Sequence, residues 1–412
     1  MRSTTGNTLG PAARGPAEVP AGAHRLAPAD LPALASGATL LGSGGGGDVG
    51  VPARLLRHAL AAGPVPLVAA PALPDDALVV HVGHVGAPDV LAERLVAAED
   101  FVRAVRAVES AVGRRADAVG IIEIGGLNAL IPALAATGLG LPVVDGDLMG
   151  RALPRVDQLT LAVDGHQATP FAVVDPAGDT VLVTSCAPRA VEPLVRANLA
   201  AMGGAAALAL HPVTARVLRA SGIPGTLTAC LRLGETYLAA RSAPPAEFAA
   251  RIGARLLSAA RIDEIQPRRG ATTGSVTLHD HATGAVVRVD LLDELLAVTV
   301  DGETVAATPE IIVAVDPVEH TPVRSDQLRT GRTVLLLRLP ALHQWPREAA
   351  RLVGPAAYGL ALAPGAGFRA AGQETPQNPG APQNPGAPQD PGTPRSPAAP
   401  QDPWAPGERG RT

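Results

Sequence analysis

Ala118-Val119-Gly120-Ile121-Ile122-Glu123-Ile124-Gly125-Gly126 decides how this chain is built: a continuous apolar run meets an acid and then a tight turn. An uninterrupted apolar run of this length is what a strand buried on both faces requires. A helix over Asn128–Thr137 follows, and Leu141-Pro142-Val143-Val144 reads as the next strand, opening into Asp145-Gly146-Asp147. The same order appears upstream, where Ala77–Val82 is a strand running into the loop Gly83–Pro88, followed by a helix from Asp89 to Val112. Strand–helix alternation at this spacing predicts an α/β fold with a parallel sheet, here an N-terminal Rossmann-like α/β domain. Ligands of such sheets lie beyond the carboxyl ends of the strands.

Further upstream stands Gly42-Ser43-Gly44-Gly45-Gly46-Gly47-Asp48, between a helical turn at Asp30–Ser36 and a helix over Val51–Ala62. Glycine tolerates positive φ and lets a ligand meet bare backbone. Successive N–H groups ahead of a helix form an anion-binding cradle, so Gly44, Gly45, Gly46, Gly47 and Asp48 are candidate substrate-binding residues. A plain connector or a close backbone crossing is the competing explanation. No Gly-Lys-Ser/Thr follows, so the stretch is not a Walker loop.

Glycine-rich turns and acids therefore cluster at three inferred strand ends, 42–48, 123–128 and 145–151, and that coincidence marks a site. Glu123, Asp145 and Asp147 are the candidate catalytic acids, able to move a proton, bind a metal or cap a helix. Alternation along an extended segment would turn Asp145 and Asp147 to one pocket. Asn128 is a candidate substrate-binding residue or an N-cap, and Arg151 either clamps an anion or pairs with Asp147. His81 and His84 stand three apart and need a third partner to hold a metal.

The 412 residues are 47% apolar but only 2% aromatic, so the core is made of Ala, Val and Leu. A formal net charge of −4 speaks against a general nucleic-acid binder. Two cysteines, Cys186 and Cys230, form no CxxC pair, no stretch is long enough to span a bilayer, and no signal peptide is evident. A cytoplasmic protein is expected, with a small-molecule substrate, no membrane or nucleic-acid partner, and homo-oligomerisation left open. Four segments are expected: an arm at 1–28, the α/β domain at 29–165, a strand-rich C-terminal domain at 166–362, and a Pro/Gly-rich disordered tail at 363–412. In the tail Pro376–Ala381 recurs as Pro382–Ala387, with few side chains from which to build a core.

Taken in order, Gly42–Asp48, Glu123–Asn128 and Leu141–Pro154 resemble the S-methyl-thiohydantoin desulfurase-like family, a former domain-of-unknown-function family related to hydantoinase/oxoprolinase proteins. Val191–Arg196, Met202-Gly203-Gly204, Ile223–Thr226 and Val353-Gly354-Pro355 extend the likeness over roughly residues 30–360. The resemblance implies an α/β domain followed by a β-rich one, and hydrolytic removal of sulfur from a thiohydantoin ring. Ser43 fills a variable place in the family's loop. Asp293-Glu294 and Pro309-Glu310 stand where the family typically has Asn-Glu and Pro-Asp. A hydrolase of a (thio)hydantoin-like ring is the first expectation, with a divalent metal such as zinc as candidate cofactor. The alternatives are a non-catalytic small-anion-binding protein or partner of a hydantoinase/oxoprolinase complex, and an ATP-dependent ring opener.

Overall fold

The computed structural model describes residues 24–87, 90, 97–270 and 273–362. The expected tail and residues 1–23 of the expected arm lie outside them.

The first sheet has eight strands. β1 (Arg25–Leu26) leads through helix α1 (Leu31–Leu41), the glycine loop and α2 (Gly50–Leu60) to β2 (Val65–Val68) and β3 (Leu78–Gly86). After α3 (Ala98–Val112) come β4 (Ala118–Ile121), α4 (Ile131–Leu139), β5 (Val143–Val144) and the short β6 (Gly146–Asp147), which stands outside this sheet. β7 (Phe171–Val174), β8 (Thr180–Val183), α5 (Val191–Ala201) and β9 (Ala205–Thr214) complete it. The spatial order is β1-β2-β5-β4-β3-β9-β7-β8. Alternate residues divide between two cores: Val80, Val82, Val119 and Ile121 face one side, Val79 and Ala118 the other. Burial on both faces is why these strands read as unbroken apolar runs.

The structure departs from the local pattern in several places. The sheet is mixed: β2, β5, β4 and β3 run parallel, but β9 pairs antiparallel with β3, as β7 does with β9. The parallel strands also follow an order other than that of a Rossmann sheet. β7, β8 and β9, which follow residue 165, return to this sheet. Arg25 and Leu26 are not loose arm; they pair with Pro66 and Val65, and Leu26 is buried. The glycine loop leaves a helix rather than a strand, for the turn at Asp30–Ser36 continues to Leu41.

From β9 the chain passes through α6 (Ala215–Ser221), β10 (Ile223–Pro224), α7 (Thr226–Ala240) and α8 (Pro245–Arg251) to a second sheet. β10 pairs with β6 as a separate ribbon. The second sheet, all antiparallel, comprises β11 (Arg255–Gln266), β12 (Gly274–His279), β13 (Val286–Leu291), β14 (Leu295–Val300), β15 (Glu303–Ala307), β16 (Ile311–Val315), β17 (Pro322–Val323) and β18 (Thr333–Leu339). One face carries its own core, with Ile262, Val289, Ile312 and Leu336 among it. The opposite face of β16 and β18 joins the core of the first sheet through Ile311, Val313, Leu335 and Leu337. α1 and α7 lie in that shared core and touch backbone to backbone. A Cβ on Gly37 would stand 2.0 Å from the Cys230 carbonyl oxygen, and one on Gly234 1.8 Å from that of Ala33. Only glycine allows that approach.

Candidate functional site

Where the two sheets meet, a cleft of about 670 Å³ opens to solvent. The end of β3, the turn after β4, the glycine loop, the segment 149–156 and the start of β14 surround it.

Glu123 ends the β4 run inside this cleft and is 7% exposed. Its Oε1 accepts a hydrogen bond of 2.7 Å from the Asn128 amide. Asn128 is itself held, donating to the His84 carbonyl (3.0 Å) and accepting from the His84 N–H (2.6 Å). Burial pushes the Glu123 carboxyl up to about 8, against the Asn128 hydrogen bond and with help from the negative charge of Glu294. Asn128, which stands in a buried 3-10 turn, thus serves as a clamp between β3 and Glu123 rather than as an N-cap.

The acids of Asp145-Gly146-Asp147 do not converge on one pocket. Asp145 turns to the start of α7, accepting from the Thr228 N–H (3.0 Å) and hydroxyl (2.6 Å), and so caps that helix. Asp147 lies beneath the cleft, 1% exposed, its Oδ2 accepting from the N–H groups of Ile124 (3.0 Å), Met149 (3.1 Å) and Gly150 (2.8 Å). Burial nevertheless raises its carboxyl to about 6. Thr226 stands close enough to favour the charged form, yet makes no hydrogen bond of normal geometry to Oδ1. The pleat fails to carry the two acids to one side because each is drawn off by a different set of N–H donors.

Arg151 turns inward to backbone carbonyls. It is 1% exposed and donates to the carbonyls of Ala152 (2.8 Å), Glu310 (2.5 Å) and Leu295 (3.1 Å), joining the segment after β6 to the second sheet. Asp48 caps Gly50 at 2.5 Å and pairs with Arg324 at 2.6 Å, away from the cleft.

The glycine loop divides. Gly46 and Gly47, at φ +72° and +76°, line the cleft. Gly44 and Gly45 are covered by the second sheet: a Cβ on Gly45 would stand 2.3 Å from Glu294 Oε1, and one on Gly44 2.9 Å from Leu295 Cγ. The Gly46 N–H favours the anionic form of Glu294. The cradle is therefore filled, in part, by the protein's own carboxylate. Ser43 ties the loop down further: its hydroxyl donates to the Ile312 carbonyl (2.7 Å) and accepts from the Ile312 N–H (2.9 Å).

Two residues outside the expected set belong to the cleft. Glu294, 4% exposed, is raised to about 7 by burial and by neighbouring Asp293, with Arg151 opposing. Its Oε2 has no hydrogen-bond partner among the described residues. His84, lowered to about 4 by burial, presents an Nδ1 likewise without a partner, its ring edge-on to Phe101. Among the described residues no three His, Cys, Asp or Glu side chains are grouped to hold a metal ion, so the divalent-metal expectation finds no ligand set here. Likewise no helix among them is long and apolar enough to cross a membrane.

Fold and cleft together define a two-domain α/β protein with buried carboxyl groups at the joint of its sheets. The chain belongs to the S-Me-THD-like family: residues 29–185 match its N-terminal domain and residues 186–364 its C-terminal domain. A crystal structure of a protein from Chromobacterium violaceum is similar, with 25% identity and a TM-score of 0.65 over 77% of this chain and 92% of that one. No curated protein matches.

Proposed function

We propose that this protein hydrolyses a small five-membered (thio)hydantoin-like ring, an S-methyl thiohydantoin being the substrate class suggested by the family. The observation that carries the proposal is Glu123. It is a buried carboxyl at a solvent-reaching cleft, raised to about 8 and oriented by Asn128, facing the bare backbone of Gly46 and Gly47.

A carboxyl protonated at neutral pH is a general acid. As water adds to the trigonal ring carbon, the Glu123 proton passes to the ring nitrogen, and one proton of the water restores Glu123. The C–S bond then breaks, the new carbonyl forms, and the thiol leaves with the water's other proton. The anion-binding alternative draws less support, because Glu294 already occupies part of the cradle.

Thiol release from a panel of S-methyl thiohydantoins tests the proposal. Glu123→Gln should lower turnover by roughly 10²–10⁴-fold while the melting curve persists. Turnover of no member of the panel, or full activity of the variant, would refute it.

A further inference from the structure

We infer that Glu123 and Glu294, one from each domain, form a carboxyl pair that shares a single proton and divides the acid and base work of the cleft. The inference deepens the proposed hydrolase reaction and rests on it for the division of labour, but the sharing of the proton needs no substrate.

The geometry is specific. Both side chains line the same cleft, and both are almost completely buried. Glu294 enters against Gly45, at a spot that any Cβ there would fill. One of its oxygens faces the Gly46 N–H, and the other, Oε2, is buried without a partner. Two ionised carboxyls buried at one cleft, one of them with an oxygen that no donor satisfies, are costly unless one of the two holds a proton.

The surrounding charges lead to the same count. Arg151 is the buried cation that acts on both acids. Arg155 and Arg196 also border the cleft, but Arg155 is paired with Asp157 (2.6 Å) and Arg196 with Glu192 (2.7 Å). Asp293, beside Glu294, pairs with Arg268 at 3.2 Å. Asp147 is compensated by three N–H groups, Tyr358 is raised and stays neutral, and His84 is neutral. One buried cation therefore faces two acids, and one of them keeps its proton.

In the reaction, the ionised Glu294 takes the proton of the attacking water while Glu123 donates its own to the ring. Exchange with the water of the cleft then returns the proton from Glu294 to Glu123. No oxidant or metal enters the balance.

Infrared or carboxyl-carbon NMR titration of the ligand-free protein tests the sharing directly. Wild type should retain one protonated carboxyl of the pair at neutral pH and lose its protons in two separated steps. Glu294→Gln should merge these into one step and lower the Glu123 midpoint by about one unit or more, because the neighbouring charge is gone. Gly45→Ala, which displaces Glu294 without removing its carboxyl, should shift the midpoint in the same direction. If the Glu123 midpoint stays put in both variants, the pair does not exist. A coupled titration with no turnover of any thiohydantoin would leave the pair standing and remove only the proposed reaction.

Discussion

Replacing Asp147 by alanine separates a structural acid from a catalytic one. Its Oδ2 is the acceptor for three buried N–H groups, at 2.8 to 3.1 Å. Each such donor left unpaired costs about 1–3 kcal/mol, and relief from burying a carboxylate offsets part of that, leaving a net loss of about 4 kcal/mol. At the roughly 2–4 °C per kcal/mol usual for domains of 150–250 residues, the melting point should fall by roughly 8–16 °C. Asp147→Asn keeps an acceptor oxygen at the same place and should cost less than about 1.5 kcal/mol. Circular-dichroism melts at pH 7, with turnover measured below the transition, read both effects. Asp147→Asn should stay within tenfold of wild type in turnover. An alanine variant that melts within about 2 °C of wild type would refute the bracing role; an asparagine variant that folds normally but is inactive would return Asp147 to the chemistry.

Two pH trends in stability should also appear. Glu123 and Glu294 are raised on folding from 4.5 to about 8 and about 7, so their contribution is greatest below 4.5 and is lost as pH rises through those values. Glu123→Gln and Glu294→Gln should each raise the unfolding free energy at pH 9 by roughly 2–5 kcal/mol at 1.36 kcal/mol per unit, read as a higher urea midpoint, and equal or lower midpoints would contradict this. His81, His84 and His211 are lowered on folding from 6.5 to about 4, 4 and 3, so the unfolded chain takes up protons first. Over the same window Glu123, Glu294 and Asp147 contribute in the opposite sense, so the drop from pH 6.5 towards 4 should appear in the Glu123→Gln/Glu294→Gln double variant, and a flat urea midpoint there would show that these rings are not held neutral.

The parts of the fold visible in the sequence are those set by local pattern. The β3, β4 and β5 runs are apolar because both faces are covered, and α2 stops at Leu60, just ahead of Gly63-Pro64, for purely local reasons. β9 could not be seen: its Ala-rich run has no β-branched signature, and its place beside β3 depends on a partner far along the chain. That pairing also extends β3 through Gly83–Gly86, which locally reads as a loop. In the cleft, Glu123 and Asn128 stand out because an acid ends an apolar run and an amide follows five residues on. Glu294 does not, since its meeting with Gly45 is made by the docking of two sheets and leaves no spacing to recognise. Asp145 and Asp147 misled because alternation predicts direction but not which donors will capture each carboxylate.

The bond between Ser43 and Ile312 spans 269 residues, and it carries a consequence for the protein's birth on the ribosome. At about 5–20 residues per second, roughly 13–54 s separate the emergence of the glycine loop from that of the strand that fastens it. During that interval the side of the first core awaiting Ile311, Val313, Leu335 and Leu337 is bare. The nascent chain thus carries an unfinished apolar surface until synthesis is nearly over, and a chain stopped before β16 lacks the strand that holds the Ser43 hydroxyl. Fragments that end before β16 are therefore expected to be less soluble than the full chain, a consequence of where one serine finds its partner.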